Sequence, residues 1–498
     1  MQRLKGFVSA AWRRRGYSAL PASQQQSLDS KILGIALPSL VALSLDPVLQ
    51  AVDTAFVGQL ASTEGLAALG VSTSAFALVF SSTNFFSNTA TPLVAERKDA
   101  VLARRICVVG LVLGCALCVG LEAFAPWLVR RVGGLNEGTA ALAASASFAR
   151  LRALSAPAVV AANALNGCLR GLGDAVSPLN AAVLAACLNF ALDCALVPRF
   201  GANGAAVATV AAETAAALFL AAVFARVDVP KAPSSEEEQA SSSSSSSSSL
   251  GSFAAFSALT LSRTLSLQLF LVATTNHVGA LAGADALAAN HILRSLYVLL
   301  SFATDALAIA AQQLVASAQT QEEKDVVASR LLLWGLGVGI AFALALFLLA
   351  DPLVYALDAD PRVRALAAPL VRDLLAPLQV LSSLVFVGDG ILQGSQAFAF
   401  EAVAMAVSAS LAAAALSLPV VAADPYDVDR ASLALDAAWR AVCVLQSSRA
   451  ATFAFWWWWC RRRRRQESST DDLSELPADS PTTNHNAGGD DDNAPRVS

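Results

Sequence analysis

Long stretches almost free of charge dominate this chain, and they decide what it can fold into. Ile32–Leu45, Val108–Gly120, Ser155–Leu169, Ala175–Phe190 and Leu331–Ala350 hold no Asp, Glu, Lys or Arg. A bilayer core takes roughly 20 apolar residues per helix. Soluble domains carry about 25% charged residues, whereas here 14% are charged and 56% hydrophobic. The apolar pattern gives about twelve segments, near 31–58, 66–95, 103–129, 142–170, 176–199, 203–225, 253–281, 286–316, 329–350, 368–393, 399–422 and 432–459. The expected fold class is an all-α integral membrane protein.

The chain also repeats itself. Val57, Gly58, Leu60, Ala61, Glu64, Leu66, Ala67 and Ala68 recur in order as Val278, Gly279, Leu281, Ala282, Asp285, Leu287, Ala288 and Ala289. Leu93-Val94-Ala95 matches Leu314-Val315-Ala316, and Asn166-Gly167, Leu169 and Gly171 match Asp389-Gly390, Leu392 and Gly394. The helices are therefore expected to form two pseudo-symmetric six-helix bundles, residues 29–227 and 253–460. With six crossings each, both halves enter from one side and relate by an axis along the membrane normal. Between them, residues 228–252 hold Pro230, Pro233, Glu236–Glu238 and the run Ser241–Ser249, a composition expected to be a flexible linker.

Basic residues set the orientation. Arg3, Lys5, Arg13–Arg15, Lys31, Arg97, Lys98, Arg104, Arg105, Arg170, Arg226, Lys231, Lys324, Arg330 and Arg461–Arg465 fall on one side of the membrane. The opposite loops hold only Arg130, Arg131, Arg199, Arg362, Arg364 and Arg430. The positive-inside rule places both termini in the cytosol or its equivalent. Residues 1–28 hold five basic residues and no acid, with several Ser and Gln. That segment reads either as an organelle transit sequence or as a basic cytosolic tail. Trp456–Trp459 before Arg461–Arg465 reads as an interfacial anchor for the last helix, and residues 461–498 as a disordered tail. Cys115 and Cys118 lie in an apolar stretch, and His277, His291 and His485 have no ligand spacing. No metal site, resident cofactor or catalytic residue is expected.

Carboxyl groups inside such helices are costly and persist when they face a bundle interior or water. Asp53, Asp193, Asp305 and Asp389 lie within the segments, and Asp46 and Glu213 are further candidates. Asp46, Gln50 and Asp53 share a helix face by their spacing, as do Asn189 and Asp193. Two Asp plus amide side chains in one bundle can hold a proton or a small cation. The second half lacks this set: Asp53 corresponds to Thr274, and Asn189 and Asp193 to Ala412 and Leu416. The first half is expected to carry the ion. The second is expected to shape a solute cavity, with Asp305 and Asp389 as further polar positions or as interhelical ties.

At these residues the chain resembles the multidrug and toxic compound extrusion (MATE) family, in its DinF-like branch. The likeness rests on Ala36-Leu37-Pro38, Val52-Asp53-Thr54-Ala55-Phe56-Val57-Gly58, Thr91-Pro92-Leu93-Val94-Ala95-Glu96, Leu169-Arg170-Gly171-Leu172-Gly173-Asp174, Leu188-Asn189-Phe190-Ala191-Leu192-Asp193 and Gly204–Val210. In the second half it includes Asp305–Ala310 and Asp389-Gly390-Ile391-Leu392. The resemblance implies a two-lobed secondary antiporter that exports an organic solute, a drug-like cation or an organic anion, in exchange for H+ or Na+. It implies a first-half cation site on Asp53, Asn166, Asn189, Asp193 and Thr209. Asp46, Gln50, Asp305 and Asp389 would be additional cavity residues.

The pattern departs in places. The helix 8 motif reads Ala289-Asn290-His291, and Leu267-Gln268-Leu269 offers no Glu on helix 7, which argues against a sodium site in the second half. Expected partners are a small organic solute, the coupling cation and the bilayer, with no nucleic acid and a monomeric chain. The membrane is expected to be that of an organelle (plastid or mitochondrial) or the plasma membrane. The competing readings are a lipid-linked glycan flippase and a non-transporting membrane enzyme or receptor.

Overall fold

The computed structural model describes residues 22–60, 76, 79–133, 140–227, 236–357, 360–417 and 430–474. Within them the chain is helical throughout, with no strand. The helices are α1 (Ala22–Leu60), α2 (Phe85–Arg97), α3 (Ala100–Gly133), α4 (Ala140–Ala153), α5 (Ala156–Gly171), α6 (Val176–Phe200) and α7 (Ala202–Ala225). They continue with α8 (Glu236–Ser317), α9 (Gln321–Leu357), α10 (Pro361–Leu370), α11 (Ala376–Gly394), α12 (Phe398–Ser417) and α13 (Arg430–Ser474). A π-helical turn, Val371–Leu375, joins α10 to α11. Two compact units divide the chain, Met1–Ala451 and Thr452–Ser498.

Among the described residues nine stretches are long and apolar enough to cross a bilayer. Two of them, Leu250–Ala280 and Asp285–Ser317, both belong to α8. The helix folds back between them, because Arg294 Nη1 donates to Thr275 Oγ1 at 3.5 Å across 19 residues. A straight helix of that length would hold the two about 28 Å apart. The three remaining expected crossings have separate explanations. Segment 66–95 lies partly outside the described residues. Segment 142–170 is divided into α4 and α5 at Leu154–Ser155, just before Pro157, which has no N–H to give and favours a helix start. Segment 432–459 carries Asp436, Arg440 and Arg449 within one helix.

Prolines elsewhere differ in their effect. Leu349 leaves helical geometry (φ −111°, ψ 16°) three residues before Pro352, whose ring crowds the preceding turn. The α1 backbone, by contrast, stays helical through Pro38 and Pro47. Helical backbone also reaches into two segments expected from composition to be flexible. The Ser-rich linker expected over 228–252 is helical in its backbone from Glu236, and the tail expected to be disordered from Arg461 is helical to Ser474. Both segments abut apolar helices. Adding a residue to an existing helix costs far less than nucleating one, so poor helix formers are carried along.

The repeat is visible in the packing. Cβ atoms built on Gly167 and Gly171 would meet Ser87 Cα at 2.8 Å and Thr91 O at 2.8 Å, so α5 lies tight against α2. In the second half, Cβ atoms on Gly390 and Gly394 would meet Ala308 O at 2.4 Å and Ala311 O at 2.9 Å, placing α11 tight against α8. Gly171 also faces Val94, and Gly394 faces Val315, the matched valines of the sequence repeat. One small-residue helix seam is thus used twice. Each lobe has its own apolar core, around Phe86, Leu93, Ile106 and Leu169 in the first and Leu293, Leu346, Leu375 and Leu445 in the second.

Large apolar side chains also cover the outside: Val119 is 71% exposed, Leu269 71% and Leu348 73%. In water such a surface would drive association; in lipid it is the expected exterior.

Candidate functional site

The first lobe builds its polar centre on α6. Pro178, Ala181, Asn189, Asp193 and Val197 form the buried stripe of this helix. The side chains of Asn189 and Asp193 are buried (1% and 0% exposed), and Asn189 Nδ2 donates to Asp193 Oδ2 at 2.8 Å. The turn after α6 aims this stripe at α7. Gly201 sits at φ +57°, a left-handed region that suits glycine. A Cβ on Gly204 would meet Leu196 O at 2.5 Å.

Packed against α6 are α1 and α7, with α5 against α7 and a smaller contact between α5 and α6. Thr209 on α7 donates its hydroxyl to Ala205 O at 2.8 Å, and its oxygen keeps capacity to accept. Asn166 on α5 has its Oδ1 shut from solvent with no hydrogen-bond partner among the described residues. Asn163, one turn earlier, donates to Thr83 Oγ1 at 2.9 Å. The structure therefore joins Asn189 to Asp193 and puts Asn166 and Thr209 on neighbouring helices. Asp46, Gln50 and Asp53 lie on the helical backbone of α1; their side chains fall outside the described residues.

Glu213 has a different role from the cavity position its placement in α7 suggested. Its two carboxylate oxygens accept from Arg152 at 2.8 and 3.2 Å, tying α7 to α4 by a bidentate pair.

The second lobe holds a larger polar centre that the sequence reading did not assemble. Arg263 on α8 and Arg449 on α13 both donate to Asp389 Oδ2 on α11. Arg263 Nε also lies 2.8 Å from Glu401 Oε1 on α12. Glu401 accepts from Gln393 Nε2 at 2.8 Å, and Gln393 Oε1 accepts from Gln312 Nε2 at 2.8 Å. Arg449 Nη1 donates to Gln446 Oε1 at 2.9 Å, and Gln446 Nε2 donates to the Tyr297 hydroxyl. Asp305 interacts electrostatically with Arg263, Asp389 and Arg449.

Two guanidinium groups and two carboxylates are thus closed off together, with side-chain exposures of 12, 12, 3 and 4% for Arg263, Asp389, Glu401 and Arg449. Low dielectric makes each partner necessary to the others. Of this set, the sequence reading had singled out Asp389 and Asp305. Arg263, Glu401 and Arg449 escaped because they stand on three different helices and no spacing within any one of them points to the others. The usable signal was the near balance of acids and bases within the spans of one lobe.

Contacts also run between the lobes. Thr89 and Thr260 hydroxyls meet at 3.4 Å, and the Phe86 and Phe253 rings at 5.8 Å. Asp29 at the start of α1 takes Arg330 Nε at 2.7 Å and Nη2 at 2.6 Å, and Trp334 Nε1 at 2.9 Å. Gln396 donates to Glu96.

A multi-pass helical protein made of two like lobes, each with ionisable groups inside, has the build of a secondary transporter. The MatE family model matches it twice, over residues 38–195 and 258–418. The chain belongs to the MatE family of membrane transporters. It is 33% identical over 404 residues to Protein DETOXIFICATION 44, chloroplastic, of Arabidopsis thaliana, covering 76% of this chain and 74% of that protein. It is 28% identical over 414 residues to DNA damage-inducible protein F of Escherichia coli (strain K12), covering 79% of this chain and 86% of that one. Among solved structures, a MATE protein in complex with MaD3S superposes with a TM-score of 0.73 at 18% identity, over 88% of this chain and 96% of that chain. This likeness covers both lobes and shows the fold.

Proposed function

We propose that this transporter exports an organic solute, a drug-like cation or an organic anion, by antiport against H+ or Na+, with the first lobe carrying the ion. The observation that carries this reading is the Asn189–Asp193 pair, a carboxyl group at 0% exposure in a membrane lobe, held by a neutral amide. A carboxyl so placed is expensive. A carboxyl shut from water beside an amide oxygen and an amide N–H offers oxygen ligands and a protonatable group at one place, which is what a proton or a small cation needs. Asp53 on α1, Asn166 on α5 and Thr209 on α7 complete the proposed coupling set, since α1 and α7 pack on α6 and α5 packs on α7. Asp46 and Gln50 extend it along α1, and Asp305 and Asp389 are the further polar positions of the second lobe, Asp389 as an interhelical tie. Moving one charge through 100 mV supplies about 2.3 kcal/mol to drive the cycle.

The working form is proposed to be a monomer. The name of the Arabidopsis relative favours a plastid membrane, with a mitochondrial or plasma membrane as the alternative. The test is the full chain in liposomes with imposed pH or sodium gradients and a panel of labelled cations and organic anions. Gradient-driven uptake that collapses in Asp53→Asn and Asp193→Asn supports the reading. Full uptake by both variants would remove the first-lobe site from the mechanism.

A further inference from the structure

The first lobe holds a charged pair that the coupling set leaves unused. Arg152 on α4 and Glu213, near the middle of α7, meet through two contacts of 2.8 and 3.2 Å. Neither side chain lies on the outer face of its helix. Val207 and Leu218 mark that face on α7, at 44% and 66% exposure. At about 100° per residue, Glu213 stands roughly 120–140° around from both. On α4 the outward positions are Ser147, which is exposed, and Leu154, at 52% exposure. Arg152 stands roughly 140–160° from both. Even so, the Arg152 and Glu213 side chains keep 15% and 26% exposure. Their opening is therefore internal, between helices.

That opening has three kinds of wall. Arg152 Cζ lies 5.6 Å from the centre of the Phe80 ring, and its Nη1 donates to Ser155 Oγ at 3.2 Å. Glu213 shares a face of α7 with Thr209, one turn away and only half-buried. A cation, an anion and an aromatic ring thus border one space, one turn from a member of the proposed coupling set.

As a helix tie alone, such a pair is a poor choice. Apolar side chains of the same volume hold helices together as well or better, whereas removing one charged partner leaves the other stranded at high cost. The same asymmetry decides what can bind. A solute with one charge takes one partner and strands the other. A solute with an ammonium and a carboxylate a few bonds apart replaces both contacts at once. Its carboxylate meets the guanidinium fork, its ammonium meets Glu213, and its body lies against Phe80.

We propose that Arg152 and Glu213 form a solute-binding site for zwitterions, with the ion pair opening to receive both charges of one small molecule. This names the solute class of the export reading, on which it rests.

Equilibrium binding to the full chain in nanodiscs, with no gradient imposed, tests the site. The probes are radiolabelled phenylalanine and its two single-charge analogues, phenethylamine and 3-phenylpropanoate. Wild type should bind phenylalanine at least about tenfold more tightly than either analogue, since each analogue leaves one charge unpaired. Arg152→Gln should shift the preference to phenethylamine, and Glu213→Gln to 3-phenylpropanoate. A pair that only ties helices would weaken all three probes alike. If a variant fails to fold, the order of the three affinities in wild type decides by itself. No phenylalanine binding, an analogue bound as tightly as phenylalanine, or a preference unmoved in both folded variants each overturns the proposal. Gradient-driven uptake confined to singly charged solutes would sink the zwitterion site and leave antiport standing. Zwitterion binding without any gradient-driven uptake would sink antiport and leave the site.

Discussion

The two lobes share a helix seam but fill it with opposite electrostatics. In the first, Asn166 precedes Gly167 where α5 meets α2; in the second, Asp389 precedes Gly390 where α11 meets α8. The first lobe's buried carboxyl, Asp193, accepts from a neutral amide. The second lobe's, Asp389 and Glu401, are met by Arg263 and Arg449. A carboxyl facing an amide can change its charge with little strain on its neighbours. One facing two guanidiniums cannot, because losing its charge strands them. On the proposed reading the first lobe switches, while the second holds an ion-paired frame between α8, α11, α12 and α13.

That contrast is open to attack at four points. The largest effect is expected from Asp193→Asn, which should cut gradient-driven transport in liposomes to the leak level while the protein still purifies folded. Transport at the wild-type rate would erase the distinction between the lobes. Next, Arg449→Met should destabilise the second lobe by roughly 3–5 kcal/mol in thermal unfolding, the usual cost of stranding a buried charge. Arg449→Met with Asp389→Asn should recover part of it, and no recovery would show that the pair is not a unit. Third, Gly390→Ala places its Cβ 2.4 Å from Ala308 O, against 2.8 Å from Ser87 Cα for Gly167→Ala. Both should cost roughly 1–3 kcal/mol, with Gly390→Ala the worse; an equal or reversed order would mean the seams are not matched in tightness. The smallest effect belongs to Arg330→Gln, which removes the tie to Asp29 between lobes. Its side chains are 31% and 24% exposed, so the cost should stay within about 1 kcal/mol in unfolding, and a loss several times larger would make this contact a main support.

Much of this was legible in the residues. Uncharged runs gave the membrane class, and the glycine-centred repeats gave the two lobes, because a helix seam that admits only hydrogen at the contact leaves its mark at fixed spacing. The Asn189–Asp193 pairing followed from helical period. Less legible was the second-lobe network. Arg263, Asp389, Glu401 and Arg449 come from four helices, and nothing local in any of them announces the others. The helical backbone at Glu236–Ser249 was also hidden, since composition reports the cost of a segment alone and not the help of the helix it extends.

The order of apolar and charged residues by itself determined that this chain crosses a membrane repeatedly, in two related halves. Those properties depend on transfer from water to lipid and on helix periodicity, which each segment carries within itself. Only the tertiary structure decided which charges meet: that Glu213 binds Arg152, that Arg263 and Arg449 converge on Asp389, and that Asp29 reaches Arg330. Pairing energies depend on distance and burial between residues far apart in the chain, and these exist only once the helices have packed.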